Sequence, residues 1–157
     1  MLALSAHLPE ITLAAGETLV REGDRAGSLW VLVQGALQVR KGRVLINSIT
    51  QPGALVGEMS LLLGSGYSAT VRASQFSVVS HAADGRALMD GDPAITWLVA
   101  AGLAERLNFV TSYLADLKDQ YGDAPGMSMV SQVINELSQR QGPAAVPGSA
   151  REPDPEH

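Results

Sequence analysis

Fifteen consecutive residues, Gly57-Glu58-Met59-Ser60-Leu61-Leu62-Leu63-Gly64-Ser65-Gly66-Tyr67-Ser68-Ala69-Thr70-Val71, hold most of the chemistry in this chain. They couple a glycine–acid turn to a short apolar coil and then to an alternating strand. A helical turn starting near Met59 aims free backbone N–H groups at an anion, and Gly57, lacking a Cβ, lets a ligand approach closely. Ser68 can donate to the same anion. Glu58 cannot, because an ionised carboxylate only accepts hydrogen bonds; its natural partner on a nucleotide is a ribose hydroxyl. The segment has the form of a phosphate cassette with its cation missing.

The strands that must position these residues are short. Residues 29–33, 36–39, 44–49 and 70–79 are β-branched and apolar runs separated by glycine turns, the pattern of an all-β roll. In the last run Thr70, Arg72, Ser74 and Ser77 alternate with Val71, Ala73 and Phe76, so one face packs and the other is wet. Trp30 and Phe76 are assigned to the core. Arg40-Lys41-Arg43, the one basic cluster, brackets Gly42 and reads as a solvated hairpin tip.

Beyond Ala83 the period becomes helical. Arg86, Ala87, Leu88 and Met89 form a short element; Asp92-Pro93 then supplies the cap and first-turn pair of a long helix that ends near Gly122, ahead of Pro125. Along it Ala100, Leu103, Leu107, Val110, Leu114, Leu117 and Tyr121 fall at alternating spacings of three and four, a heptad seam that predicts a parallel homodimer. The competing use of this stripe is packing against the chain's own roll. Residues 127–139 carry Val130, Val133, Ile134 and Leu137 on one face of a further amphipathic helix. Residues 142–157 are rich in Pro, Gly and acid and are expected to be disordered. The expected organisation is a roll over 1–92 with short helices, the dimerisation helix over 93–122, a short helix over 123–141 and a tail over 142–157.

With 11 Lys+Arg against 16 Asp+Glu, a net charge of -5 opposes a surface for duplex DNA. The absence of cysteine excludes disulfides and thiolate metal sites. Residues 1–10 lack a basic segment followed by an apolar run, and the longest apolar stretch, 97–104, is too short to span a bilayer, so no membrane partner and a cytoplasmic location are expected. Catalytic patterns fail on context. Gly64-Ser65-Gly66-Tyr67-Ser68-Ala69 matches a dinucleotide fingerprint, but a strand follows it where a helix is required. His7, His81 and His157 have no metal-ligand spacing, and Ser65 lacks the context of a nucleophile elbow. The sequence predicts a non-enzyme.

At the cassette the chain resembles the cyclic nucleotide-binding domain family, whose cassette reads Gly-Glu, small residue, Leu-Leu, a short loop, Arg, small residue, Ala-Thr-Val. Gly16-Glu17-Thr18-Leu19, Glu22-Gly23-Asp24, residues 29–37 and Pro52-Gly53 match the family's strand and turn pattern, and the resemblance extends from about Ile11 to Tyr121. It implies a mainly β fold, a jelly-roll-like double-stranded β-helix, followed by the long helix. Tyr67 stands where binders of cyclic AMP or cyclic GMP carry the phosphate-pairing arginine. Arg72, five residues on, lies on the opposite face of a regular strand and does not replace it.

By that resemblance Glu58 binds ribose, Gly57, Ser60 and Ser68 hold phosphate, Tyr67 modifies ligand choice, and Met59 and Ala69 complete the ligand-binding set. The middle of the long helix caps the pocket, with Thr111 and Ser112 as its polar candidates; a plain solvent-facing role for these two competes equally. Residues 127–139 are similar to the first helix of the family's DNA-binding domain, and 142–157 supply no recognition helix. The expectation is therefore a homodimeric sensor of a cyclic mononucleotide or a related anionic nucleotide, with a cyclic dinucleotide as a variant, reporting to a protein partner and not to DNA. No cofactor is expected beyond that ligand. The rival is a degenerate roll that binds no nucleotide and acts as a dimeric scaffold.

Overall fold

A computed structural model describes residues 1–139. The disorder expected for 142–157 lies outside the described residues. The chain divides into two compact units, Met1–Leu103 and one beginning at Ala104.

The first unit is a roll of two four-stranded antiparallel sheets. The strands are β1 (Glu10–Leu13), β2 (Thr18–Val20), β3 (Leu29–Gln34), β4 (Leu37–Lys41), β5 (Val44–Ile49), β6 (Leu55–Val56), β7 (Thr70–Ala73) and β8 (Ser77–Ala82). One sheet runs β1-β8-β3-β6, the other β2-β7-β4-β5. Between them lies a core of Leu13, Val20, Trp30, Leu32, Leu37, Val56, Tyr67, Val71, Ala73 and Val79. These residues alternate along their strands with polar or outward-facing neighbours, so closing the two sheets on each other buries one face of each. The β4–β5 hairpin turns at Gly42, φ 55°, with Lys41 paired to Val44, so the basic cluster does sit at a hairpin tip.

Helices cover the other face of the first sheet. They are α1 (Leu2–Ser5), α3 (Gly85–Gly91) and the beginning of α4 (Pro93–Tyr121); α2 (Glu58–Leu63) belongs to the cassette. Leu29 and Ala82 from the sheet meet Met89, Ile95 and Val99 in a second core, with Leu103 packed at its margin. Asp84 Oδ1 accepts from Ala87 N at 2.9 Å and Asp92 Oδ1 from Ala94 N at 2.9 Å, so both helix starts are capped by the residue before a Gly or Pro. The second unit holds the remainder of α4 and α5 (Met127–Gln139), with Gly126 at φ 92° just before α5.

Two sequence expectations fail around residue 75. The run 70–79 is not one strand: it breaks after Ala73 and resumes at Ser77 in the other sheet. Phe76, in the crossover, is 57% exposed and not in the core. Ser77 is fully buried instead of wet, its Oγ accepting from Ala36 N at 3.0 Å and donating to Gln75 O at 2.9 Å. Alternation holds only while a strand stays in one sheet, and a sheet change resets which side faces the core.

Candidate functional site

Gly57 opens the cassette at φ 100°, in the left-handed region, and α2 begins at Glu58. A Cβ at Gly57 would stand 2.6 Å from Ser28 O and 3.3 Å from the indole of Trp30. The approach of its own chain to β3 is therefore enough to require a glycine here. Glu58 is 3% and Ser60 4% exposed, although both side chains are polar. A carboxylate is buried only where hydrogen bonds or charges compensate its lost hydration, and Glu58 is not without partners here. Its position in the first turn of α2 also favours a negative charge. At the other end Gly64 N and Ser65 N donate to Leu61 O and Ser60 O, closing α2 with a left-handed glycine at φ 63°.

Tyr67 follows that turn and points into the roll. It is 8% exposed, packed in the inter-sheet core, and its ring lies 5.8 Å from Trp30 at an angle of 51°. Gly23 N donates to Tyr67 O at 2.8 Å and Tyr67 N to Asp24 O at 2.9 Å, so the β2–β3 connection and the cassette are stitched together at this residue. Burial raises the phenol pKa; backbone N–H groups of Ser28 and Gly27 pull it down and the Asp24 carboxylate raises it, with a net upward direction. The phenol is consequently neutral across the physiological range. It offers one uncharged hydrogen bond and no cation.

The remaining cassette candidates divide by exposure. Met59 and Ser68 are exposed and Ala69 is half-buried. Arg72 is exposed on β7, next to buried Val71 and Ala73, as expected for the outer face. Thr111 and Ser112 are exposed in the second unit, outside the compact body that holds the cassette, and Thr111 Oγ1 already donates to Leu107 O at 2.8 Å. Along the seam Leu103 is partly used by the roll unit, Leu114 and Leu117 are half-buried, and Ala100, Leu107, Val110 and Tyr121 are exposed. The buried residues of α4 are Ile95 and Val99, two positions the heptad count left out.

Two further groups escaped the sequence reading. His81 stacks on Trp30, centroids 5.3 Å apart and planes 11° apart, and its Nε2 lies 3.1 Å from Ser28 Oγ. The Ser28 hydroxyl also donates to Ala83 O at 3.2 Å. The signal was faint: an isolated polar residue in an otherwise apolar strand opposite a Trp. The other is Arg25, which lines a cleft of about 320 Å³ with Ala26, Ser60, Leu61, Gly64, Ser65 and Gly66. Nothing in its local sequence distinguishes Arg25 from a solvated loop residue; only folding brings it beside the cassette.

Among the described residues no group of His, Cys, Asp and Glu is arranged to hold a metal, and no helix is long and apolar enough to cross a membrane. Comparison with known proteins agrees with the roll and its cassette. The chain is 27% identical over 146 residues to the CRP-like cAMP-activated global transcriptional regulator of Mycobacterium tuberculosis, covering 89% of this chain and 63% of that one. It thus spans less than two thirds of the curated relative it matches. A solved protein of a cyclic-GMP-dependent signalling pathway that regulates bacterial phytopathogenesis is 26% identical, with a TM-score of 0.56 over 68% of this chain and 89% of that one. The N-terminal domain of a transcriptional regulator from Streptomyces coelicolor A3(2) is 26% identical, with a TM-score of 0.52 over 69% of this chain and 81% of that one. Residues 10–89, from β1 through the cassette to α3, match the cyclic nucleotide-binding domain, and the chain belongs to that family.

Proposed function

We propose that this protein is a non-enzymatic regulatory module that takes a cyclic mononucleotide at its cassette and passes the change to a protein partner. One observation carries this reading: Glu58 and Ser60 are held at 3% and 4% exposure within one short helix turn. Keeping two polar side chains out of water in a six-residue helix carries a desolvation cost, and side chains held at such a cost suit a ligand-binding role. In this reading Glu58 accepts from a ribose hydroxyl, and Ser60, Ser68 and the cassette amides donate to phosphate. The neutral Tyr67 phenol modulates ligand choice. Losing a charged hydrogen bond to phosphate is worth roughly 1.5–3 kcal/mol, so affinity is expected about 10- to 100-fold below that of an arginine-bearing cassette. The exposed seam Leu107, Val110, Leu114 supports a homodimer, and ligand acts by shifting the population of dimer packings.

A second reading is favoured by Tyr67 itself. Its ring is part of the inter-sheet core, so the same roll could persist as a dimeric scaffold that needs no nucleotide. Calorimetric titration of the protein with cyclic AMP, cyclic GMP and cyclic di-GMP separates the two. Saturable micromolar binding that disappears in Glu58→Ala supports the sensor. Silence with all three, together with cyclic AMP binding gained in Tyr67→Arg, supports the scaffold.

A further inference from the structure

The cleft beside α2 gathers hydrogen-bond donors of which the cassette reading uses only Ser60. Its walls are the β2–β3 connection, with Arg25 and Ala26, and the end of α2 with the turn after it, Ser60, Leu61, Gly64, Ser65 and Gly66. The two walls are fixed relative to each other by the paired backbone hydrogen bonds of Tyr67 with Gly23 and Asp24. At Gly66 they pass so close that a Cβ would lie 3.0 Å from both the Gly23 and Asp24 carbonyl oxygens.

Four donor groups belong to residues that line this space. Arg25 makes no ion pair among the described residues. The Ser60 hydroxyl, on a side chain 4% exposed, makes no hydrogen bond there, and neither does the Ser65 hydroxyl or the Gly66 N–H. Two carbonyls of the wall are already occupied, Ser60 O by Ser65 N at 3.1 Å and Leu61 O by Gly64 N at 3.4 Å. The Asp24 carboxylate acts on the Tyr67 phenol and is not part of the cleft wall. A guanidinium, two hydroxyls and a backbone N–H with no competing carboxylate suit a tetrahedral oxyanion, since each supplies a donor and one supplies the charge. Ala26 and Leu61 add an apolar wall, and about 320 Å³ exceeds what a bare anion fills.

We infer that this cleft is a phosphate-accepting site, charge-paired by Arg25 and separate from the roll interior, and that it takes a small phosphorylated molecule with a sugar-sized substituent against Ala26 and Leu61. It shares Ser60 with the cassette reading and does not depend on Glu58. The test is amide NMR of the full chain titrated with inorganic phosphate and, separately, with ribose 5-phosphate, each against sodium chloride of equal ionic strength. Expected are saturable shifts of Ser65 and Gly66, tighter for the sugar phosphate, weakened about tenfold or more in Arg25→Gln. The same shifts persist in Glu58→Ala, so a failure of the cassette reading leaves them in place. Shifts no larger than those in chloride, or unchanged in Arg25→Gln with its spectrum otherwise intact, overturn the site. Equal affinity for both phosphates overturns the sugar-sized part.

Discussion

Tyr67 and Trp30 meet inside the roll with ring centroids 5.8 Å apart and planes inclined by 51°, an arrangement in which the edge of one ring approaches the face of the other. Trp30 carries His81 on a second contact, so the indole is held between the cassette and β8. The residue at which the resemblance places the family's cation thus works as part of the core. Removing it acts on stability as well as on ligand choice.

Tyr67→Ala is expected to cost about 3–5 kcal/mol, the range for deleting a buried aromatic whose surroundings collapse incompletely. Tyr67→Phe keeps the ring and loses only the hydroxyl facing the Ser28 and Gly27 amides, about 1 kcal/mol. Urea denaturation of the two variants beside wild type measures both; equal losses would place the stabilisation in the hydroxyl and not in the ring.

Alkaline pH should reveal the same phenol. Its folded pKa is raised above the ordinary 10.0, chiefly by burial, so the folded state retains the proton longer than the unfolded chain. The contribution of Tyr67 is therefore complete below pH 10.0 and lost as pH rises through the folded value. Tyr67→Phe lacks this loss. Unfolding free energies between pH 8 and 11 should show wild type declining relative to the variant only in the upper part of that interval, and a constant difference throughout would contradict the shift.

The two glycines that flank α2 should respond unequally to alanine. At Gly57 the new methyl would lie 2.6 Å from Ser28 O on a backbone with φ 100°, and a loss of about 3 kcal/mol is expected. At Gly64 φ is 63° and nothing lies within 4 Å, which leaves the left-handed backbone alone, about 1 kcal/mol. Thermal or urea unfolding of Gly57→Ala and Gly64→Ala gives the ranking directly; the reverse order would mean that α2 does not sit against β3 as described.

If the seam on α4 joins two copies, Leu107→Asp and Leu114→Asp should each weaken the dimer by roughly 100-fold, because a carboxylate in an apolar seam costs about 3 kcal/mol. Phe109→Ser, which removes a side chain that is 71% exposed and off the seam, should leave association unchanged. Sedimentation equilibrium across a concentration series reports all three. Association that depends on Phe109 and not on Leu107 would move the interface to another face of the helix.

The sequence by itself determined the elements whose signals are local. The apolar runs that become β3 and β4, the hairpin at Gly42, the Asp92-Pro93 helix start and the α5 bounds all rest on residues a few positions apart, and each was legible. Glu58 and Tyr67 stood out through the resemblance, Glu58 as the cassette's acid and Tyr67 as the residue at the place of the family's arginine. Tertiary structure decided where those side chains go. It changed sheets between Ala73 and Ser77, which left Phe76 outside, and it used Gly57 for contact with Ser28 and Trp30. It turned Tyr67 into core and set Arg25 beside Ser60, thirty-five positions away in the chain. Contacts of this kind arise from the closing of two sheets and the docking of one connection on another. A pattern read along a single strand carries periodicity, and periodicity does not encode which distant surface the strand will meet.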